Sequence, residues 1–380
     1  MTDAATGQGA ARLKGARLTG WFHRLMANPS FQSWASRFPL TRGIAQREGA
    51  EMFDLVAGFV QSQVLMAVVE LRLLHRLMEA PRTAAGLARE AGITTERMEI
   101  LLQAAAALGL MRRRRDGRFT LRRKGAALMG VPGLEAMILH HRAFYRDMEN
   151  PVALLRGEVD TELANFWPYV FGARGEVDPA VTRIYSDLMA DSQGLVAQDT
   201  LRMVDLSQVT CLLDVGGGSG AFALAVARAY PALDLMLFDL PDVVPAARTR
   251  FEAAGMGQRL AVHGGSFRSD SLPYGADAVS LIRVLYDHSD DTVRSLLSKI
   301  FDTLPAGGRL IVSEPMSGGA VPERAGDVYF AFYTMAMRTG KTRSAEEIGR
   351  LCADAGFSQI IARPARRPYV TSVLSCVKPG

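Results

Sequence analysis

Cysteine is scarce in this chain, with three in 380 residues, at positions 211, 352 and 376. An odd, scattered set offers no disulfide framework and suits a reducing cytoplasm with buried thiols. Long apolar runs are also lacking. The longest, "LVAGFVQSQVLMAVV" (55–69), carries two glutamines and a serine. It falls short of the roughly 20 residues that span a bilayer, so no transmembrane helix is expected. The opening "MTDAATGQGAARLKGARLTG" has no apolar core of the secretory kind. Spacings typical of zinc are missing too: His140 and His141 are adjacent on a helical stretch and should point in different directions, so no metal is expected.

What is present is enough apolar material, 48% of residues, to bury a sizeable core, with length for two domains. Net charge is +5, which leaves nucleic acid and anionic membranes open as partners. Cations concentrate near the start (Arg12, Lys14, Arg17, Arg24, Arg37, Arg42, Arg47) and in "RRRRDGRFTLRRKG" (112–125). Residues 1–50 read as a basic, aromatic extension of short helices. A helical apolar pattern runs from Met52 to Met78 and stops before Pro81. Next come a helix, a turn at Gly92, a second helix from Thr94 or Thr95 and a hairpin at Asp116-Gly117. This is a winged-helix arrangement, assigned to 51–130. Its second helix offers Glu96 and Glu99 against one cation, Arg97, which favours packing over DNA binding.

Residues 131–205 read as an irregular helical linker. From 206 to 380, strand-like runs alternate with helical ones: "CLLDV", "LDLMLFDL", "RLAVHGG", "DAVSLIRVL", "GRLIVSEP" and "TSVLSCV". The alternation predicts an α/β fold with a doubly wound, mostly parallel, Rossmann-like sheet.

The first of these strands opens the decisive motif, "LLDVGGGSG". Asp214 ends the strand, and Gly216, Gly217 and Gly218 let a ligand approach the main chain before the helix starts. The nicotinamide fingerprint tolerates alanine at 221, so the loop alone does not exclude a dinucleotide. Two further features favour S-adenosylmethionine. Asp214 stands where a carboxylate can serve an amino-acid ammonium, and Asp239 ends the second strand where an acid accepts ribose hydroxyls. After the third strand, Ser266 could bond an adenine nitrogen and Phe267 cover its ring.

"LLDVGGGSG", "FDLP", "LIRVLYDHSDD", "LPAGGRLIVSEP" and "RSAEEIGRLCADAGF", behind a winged helix, resemble the class I small-molecule O-methyltransferases typified by the caffeate, flavonoid and hydroxyindole enzymes. The resemblance covers nearly the whole chain. It implies methyl transfer from S-adenosylmethionine, leaving S-adenosyl-L-homocysteine, a homodimer built on the winged-helix domain, and Leu240 and Arg283 beside the cofactor. "FQSWASRFPLTRGIAQREGAEMFDLVAGFVQSQVL" and "HHRAFYRDMENPVALLRGEVDTELANFWPYV" are similar to the purple-bacterial demethylspheroidene and hydroxyneurosporene O-methyltransferases, which methylate the 1-hydroxyl of acyclic carotenoids. The bacteriochlorophyllide C-20 methyltransferases and phenol O-methyltransferases are the enzymatic alternatives, and a ligand-sensing DNA regulator is the non-enzymatic one.

One departure from the wider family bears on mechanism. Where that family has a general-base histidine in "HDWSD", this chain reads "YDHSD", with Tyr286, Asp287 and His288; the later acid is Glu314. A phenol, with a reference pKa of ~10, donates more readily than it accepts at neutral pH. Tyr286 is therefore expected to orient the hydroxyl, and His288 or Asp287 to take its proton. Expected pocket walls are Phe144, Met148, Phe166, Trp167, Met189, Phe332, Tyr333 and Met337. The basic, aromatic N-terminus suits peripheral contact with the photosynthetic membrane, and no nucleic-acid partner is expected.

Overall fold

The computed structural model describes residues 20–166, 193–363 and 366–380. It divides into two compact units, 1–122 and 123–380.

In the first unit, Asn28 caps the short helix Pro29–Ala35 by accepting from the Ser30 and Phe31 N–H groups. The long helix α1 (Arg42–Glu70) follows, and Arg72, in a left-handed conformation (φ +52°), separates it from Leu73–Glu79. The single helix expected between Met52 and Met78 is thus two. By length and composition α1 is long and apolar enough to cross a membrane, which the 15-residue run by itself is not. Met52 and Phe53 extend the apolar stretch N-terminally, past Asp54, and few of the helix's side chains are buried. α2 (Ala84–Ala91) is capped by Thr83 and ends at Gly92 (φ +66°); α3 (Thr95–Ala107) is capped by Thr94. The hairpin pairs β1 (Met111–Arg113) with β2 (Phe119–Leu121), so the winged-helix order is present.

The second unit carries a seven-stranded sheet in the order β5-β4-β3-β6-β7-β9-β8. β3 (Cys211–Val215), β4 (Asp234–Asp239), β5 (Leu260–Gly264), β6 (Ala278–Ile282) and β7 (Arg309–Glu314) are parallel, and β9 (Ser372–Val377) is antiparallel to β7. β8 (Ser358–Arg363) was not expected from the sequence: it is an edge strand, largely exposed, with little apolar alternation. β6 and β7 are almost wholly buried, as suits strands covered on both faces. The chain leaves β3 toward β4 on one side and later places β6 on the other, which opens a crevice at the carboxyl ends of these strands.

The second unit also carries α4 (Leu134–Asp147), α5 (Ala221–Ala229), α6 (Val244–Ala253), α7 (Asp290–Thr303), a π-helical turn at Arg324–Phe330, α8 (Ala331–Ala336) and α9 (Ala345–Asp354). Ser344 and Glu347 form a reciprocal capping box that starts α9.

Candidate active site

The glycine loop leaves β3 with no room for side chains at its first two glycines. A Cβ on Gly217 would lie 2.7 Å from Asp214 Oδ2 and 2.8 Å from Leu237 Cδ1, and one on Gly216 would meet Val284 at 2.8 Å. Gly218 is open to the crevice, and its N–H donates to Asp239 Oδ2 at 2.7 Å, while Leu240 N–H donates to Oδ1 at 2.7 Å. Asp239 thus ties the two strand ends together and keeps spare lone pairs. Burial pushes its carboxyl up. Asp214 is buried beneath the loop. Ser280 Oγ donates to its Oδ1 at 2.6 Å, Oδ2 has no partner among the described residues, and burial raises the carboxyl to about 7.

After β5, Ser266 Oγ accepts the Arg268 N–H at 3.3 Å and Ser266 N–H donates to Asp270, so this serine caps its own turn. Phe267 packs against the sheet core and meets the His288 ring edge-on, with centroids 5.2 Å apart. His288 Nδ1 lies 3.2 Å from Arg268 Nη2. Burial, then the charges of Arg268 and Arg343, hold this imidazole down to about 3. His288 therefore stands beside Phe267 and Arg268.

The turn after β6 gathers the remaining groups. Arg283, expected at the cofactor, sits in a left-handed conformation (φ +59°) with its guanidinium 5.9 Å from the Tyr286 ring centre. Its charge also faces Asp287 and Tyr329. Tyr286 is 3% exposed, and its N–H donates to Glu314 Oε2 at 3.2 Å. Burial drives the Tyr286 hydroxyl and Asp287 carboxyl pKa upward and raises Glu314 to about 7. Asp287 Oδ1 and Glu314 Oε1 have no partner among the described residues. Two buried carboxyls thus keep unused oxygens next to a phenol that retains its proton.

Sequence reasoning missed the residue that holds this turn. Arg343, fully buried, donates to the carbonyls of Leu285 and His288, both at 2.8 Å, and to Asp290 Oδ1 at 2.8 Å. The only signal was its place at the head of "RSAEEIGRLCADAGF".

Among the expected wall residues, Phe144, Met148, Tyr333 and Met337 come together with Tyr329 and Met335 in one cluster between α4 and α8. Met337 is fully buried within it, and Phe332 lies outside it. Trp167 and Met189 fall outside the described residues, as does the Phe166 side chain. The two histidines were expected to diverge. Instead both reach the same facing segment: His140 Nε2 lies 3.0 Å from the Tyr333 hydroxyl and His141 Nε2 2.6 Å from that of Tyr329. The four-residue spacing of the tyrosines allows this. Among the described residues, no three His, Cys, Asp or Glu side chains gather to hold a metal.

Residues 145–358 match the family model of the O-methyltransferase domain, and 53–129 match the O-methyltransferase dimerisation domain. The chain belongs to the O-methyltransferase family. It is 57% identical over 377 residues to the demethylspheroidene O-methyltransferase of Cereibacter sphaeroides, covering 99% of this chain and 97% of that one. To the Rhodobacter capsulatus protein of the same name it is 50% identical over 366 residues, covering 96% and 91%. Among solved structures, CalO1, a methyltransferase in calicheamicin biosynthesis in its SAH-bound form, superposes with a TM-score of 0.73 at 26% identity, over 88% of this chain and 99% of that one. The winged helix of this O-methyltransferase is accordingly a dimerisation module, in keeping with α3, which exposes Glu96 and pairs Glu99 with Arg113.

Proposed function

We propose that this S-adenosylmethionine-dependent O-methyltransferase methylates the tertiary 1-hydroxyl of an acyclic carotenoid. Full-length similarity to two demethylspheroidene O-methyltransferases carries the reading. The aromatic and methionine-rich cluster around Tyr333 and Met337 supports it, since a polyene offers only apolar surface and one hydroxyl for recognition.

The residues present fit the cofactor. Gly217 keeps a Cβ out of the loop, Gly218 is open, Asp239 keeps spare acceptor capacity at the ribose position, and Phe267 presents a half-buried ring beyond β5. When bound, S-adenosylmethionine supplies an electrophilic methyl on a sulfonium. The chain supplies alignment and a dry site, worth roughly 7–11 kcal/mol when reacting atoms are well oriented. Tyr286, still protonated, hydrogen-bonds the acceptor oxygen. Asp287 and Glu314 provide buried lone pairs behind it.

A homodimer through residues 53–129 completes the assembly. α1 exposes Met52, Leu55, Val56 and Phe59 along one helical stripe, a surface that a second copy would cover. We place the enzyme in the cytoplasm, peripherally on the membrane that dissolves its substrate. Exposed Trp21, Phe22 and Trp34, with Arg24 and Arg37 nearby, support this. Cosedimentation with anionic vesicles but not zwitterionic ones would agree, and no sedimentation with either at low salt would refute it.

The substrate test is incubation of purified enzyme with S-adenosylmethionine and detergent-dispersed 1-hydroxy carotenoid, read by mass spectrometry. A methoxy product is expected. Cofactor binding without product would turn the search to chlorins or phenols.

A further inference from the structure

α4 presents two adjacent histidines, each with its Nε2 against a tyrosine hydroxyl. The closer contact is His141 to Tyr329, at 2.6 Å. Tyr329 lies in the π-helical turn, a rare geometry that recurs at functional sites, and its ring stacks on Tyr333 with centroids 5.9 Å apart. Phe144 meets both rings edge-on. The Tyr329 oxygen is therefore a polar point in the apolar cluster that the substrate reading needs.

Burial lowers His141 to about 4, so at neutral pH its ring is uncharged and one nitrogen is an acceptor. With hydrogen on Nδ1, Nε2 accepts the Tyr329 O–H, and the Tyr329 lone pairs remain available. The groups facing this couple are His140 and Tyr145 on α4, Tyr333 on α8, and Arg283 with Tyr286 after β6. Burial holds the Tyr329 hydroxyl above the ordinary phenol range, so it keeps its own proton at rest; Arg283, the one cation among these groups, opposes that shift.

We propose that Tyr329 accepts the hydrogen bond of the substrate hydroxyl and, with His141 behind it, carries away the proton during methyl transfer. This rests on the O-methyltransferase reading with an alcohol as acceptor. A lone pair of the alcohol oxygen forms the new C–O bond, and the methyl–sulfur bond breaks with its pair on sulfur. The alcohol proton moves to Tyr329 Oη as the proton of Tyr329 moves to His141 Nε2. The imidazolium then returns its proton to solvent on product release. An aliphatic alcohol becomes strongly acidic only as the C–O bond forms, so a weak, desolvated base is sufficient. Tyr329 is the catalytic residue here, and His141 acts through it.

Two variants separate the roles. Tyr329→Phe removes the acceptor. His141→Gln preserves a hydrogen-bond partner for Tyr329 but has no site of comparable basicity. The first readout needs no turnover: binding of 1-hydroxy and 1-methoxy polyene to cofactor-free enzyme, followed by tryptophan quenching. The wild type and His141→Gln should prefer the alcohol, and Tyr329→Phe should bind both alike. In turnover, each variant should lose about 10²-fold in kcat with the KM for S-adenosylmethionine unchanged, the double variant should fall no further than the worse single one, and the solvent isotope effect of the wild type should shrink. Retention of alcohol preference by Tyr329→Phe, or of kcat within about threefold by both variants, would overturn the assignment while leaving the substrate reading intact. A wild type that never methylates the alcohol would overturn the substrate reading itself.

Discussion

The backbone N–H of Tyr286 donates to Oε2 of Glu314 at 3.2 Å, which ties the turn after β6 to the end of β7. The same carboxyl is buried, has Oε1 unpartnered among the described residues and is raised to about 7. The native state thus holds a proton that the unfolded chain releases near pH 4.5. Its stabilising contribution is full below that value and is lost as pH rises through 7. Glu314→Gln, which keeps an acceptor for Tyr286 without the charge, should melt higher than the wild type at pH 8. The gap should close toward pH 5 in a thermal-shift series, and turnover should fall at every pH.

Arg343 makes the second prediction. Replacing it with methionine keeps volume but strands the carbonyls of Leu285 and His288 and leaves Asp290 to Lys341 alone. Each buried carbonyl left without a donor costs about 1–3 kcal/mol. Urea unfolding of Arg343→Met should show a loss of that size. Arg343→Lys should recover only part of it, because an ammonium cannot reproduce the planar fork.

Much of this site was legible in the chain because its parts are local. "CLLDVGGGSG" places strand, turn and helix start within ten residues, and Asp239, Tyr286 and Glu314 each mark the end of a strand or the turn beyond it. Arg343 heads "RSAEEIGRLCADAGF", but the groups it ties together lie 53 to 58 residues away. The His141–Tyr329 contact joins residues 188 apart, and no periodicity encodes it. The contact of His288 with Phe267 is likewise not encoded by periodicity, because it joins an irregular turn to the loop after β5. The break in the long helix falls at Arg72, without glycine or proline to announce it.

The stripe on α1 gives a third prediction. Leu55, Val56 and Phe59 are 75%, 69% and 71% exposed in the protomer. A monomer seldom leaves so much contiguous apolar surface in water. Phe59→Asp should therefore shift the enzyme from dimer to monomer in light scattering while the second unit keeps its cofactor affinity. A stable dimer in that variant would place the interface elsewhere on residues 53–129.

The last prediction concerns the loop itself and separates space from backbone conformation. Gly217 has an ordinary φ, but its Cβ would meet Asp214 Oδ2 and Leu237 at under 3 Å; Gly218 has φ +56° with nothing in the way. Alanine at 217 must push the loop off the buried carboxyl, an overpacking cost of about 1–3 kcal/mol, which also moves the Gly218 N–H off Asp239. Alanine at 218 meets only the left-handed strain, about 1–2 kcal/mol, with the Asp214 contact intact. Calorimetric titration with S-adenosylmethionine should show the larger loss of affinity for Gly217→Ala, by about tenfold or more. Leu237→Ala in the Gly217→Ala background should restore part of it by removing the side chain that the new methyl strikes. Equal losses in both single variants, with no rescue, would mean that backbone strain rather than the floor of the loop governs cofactor binding.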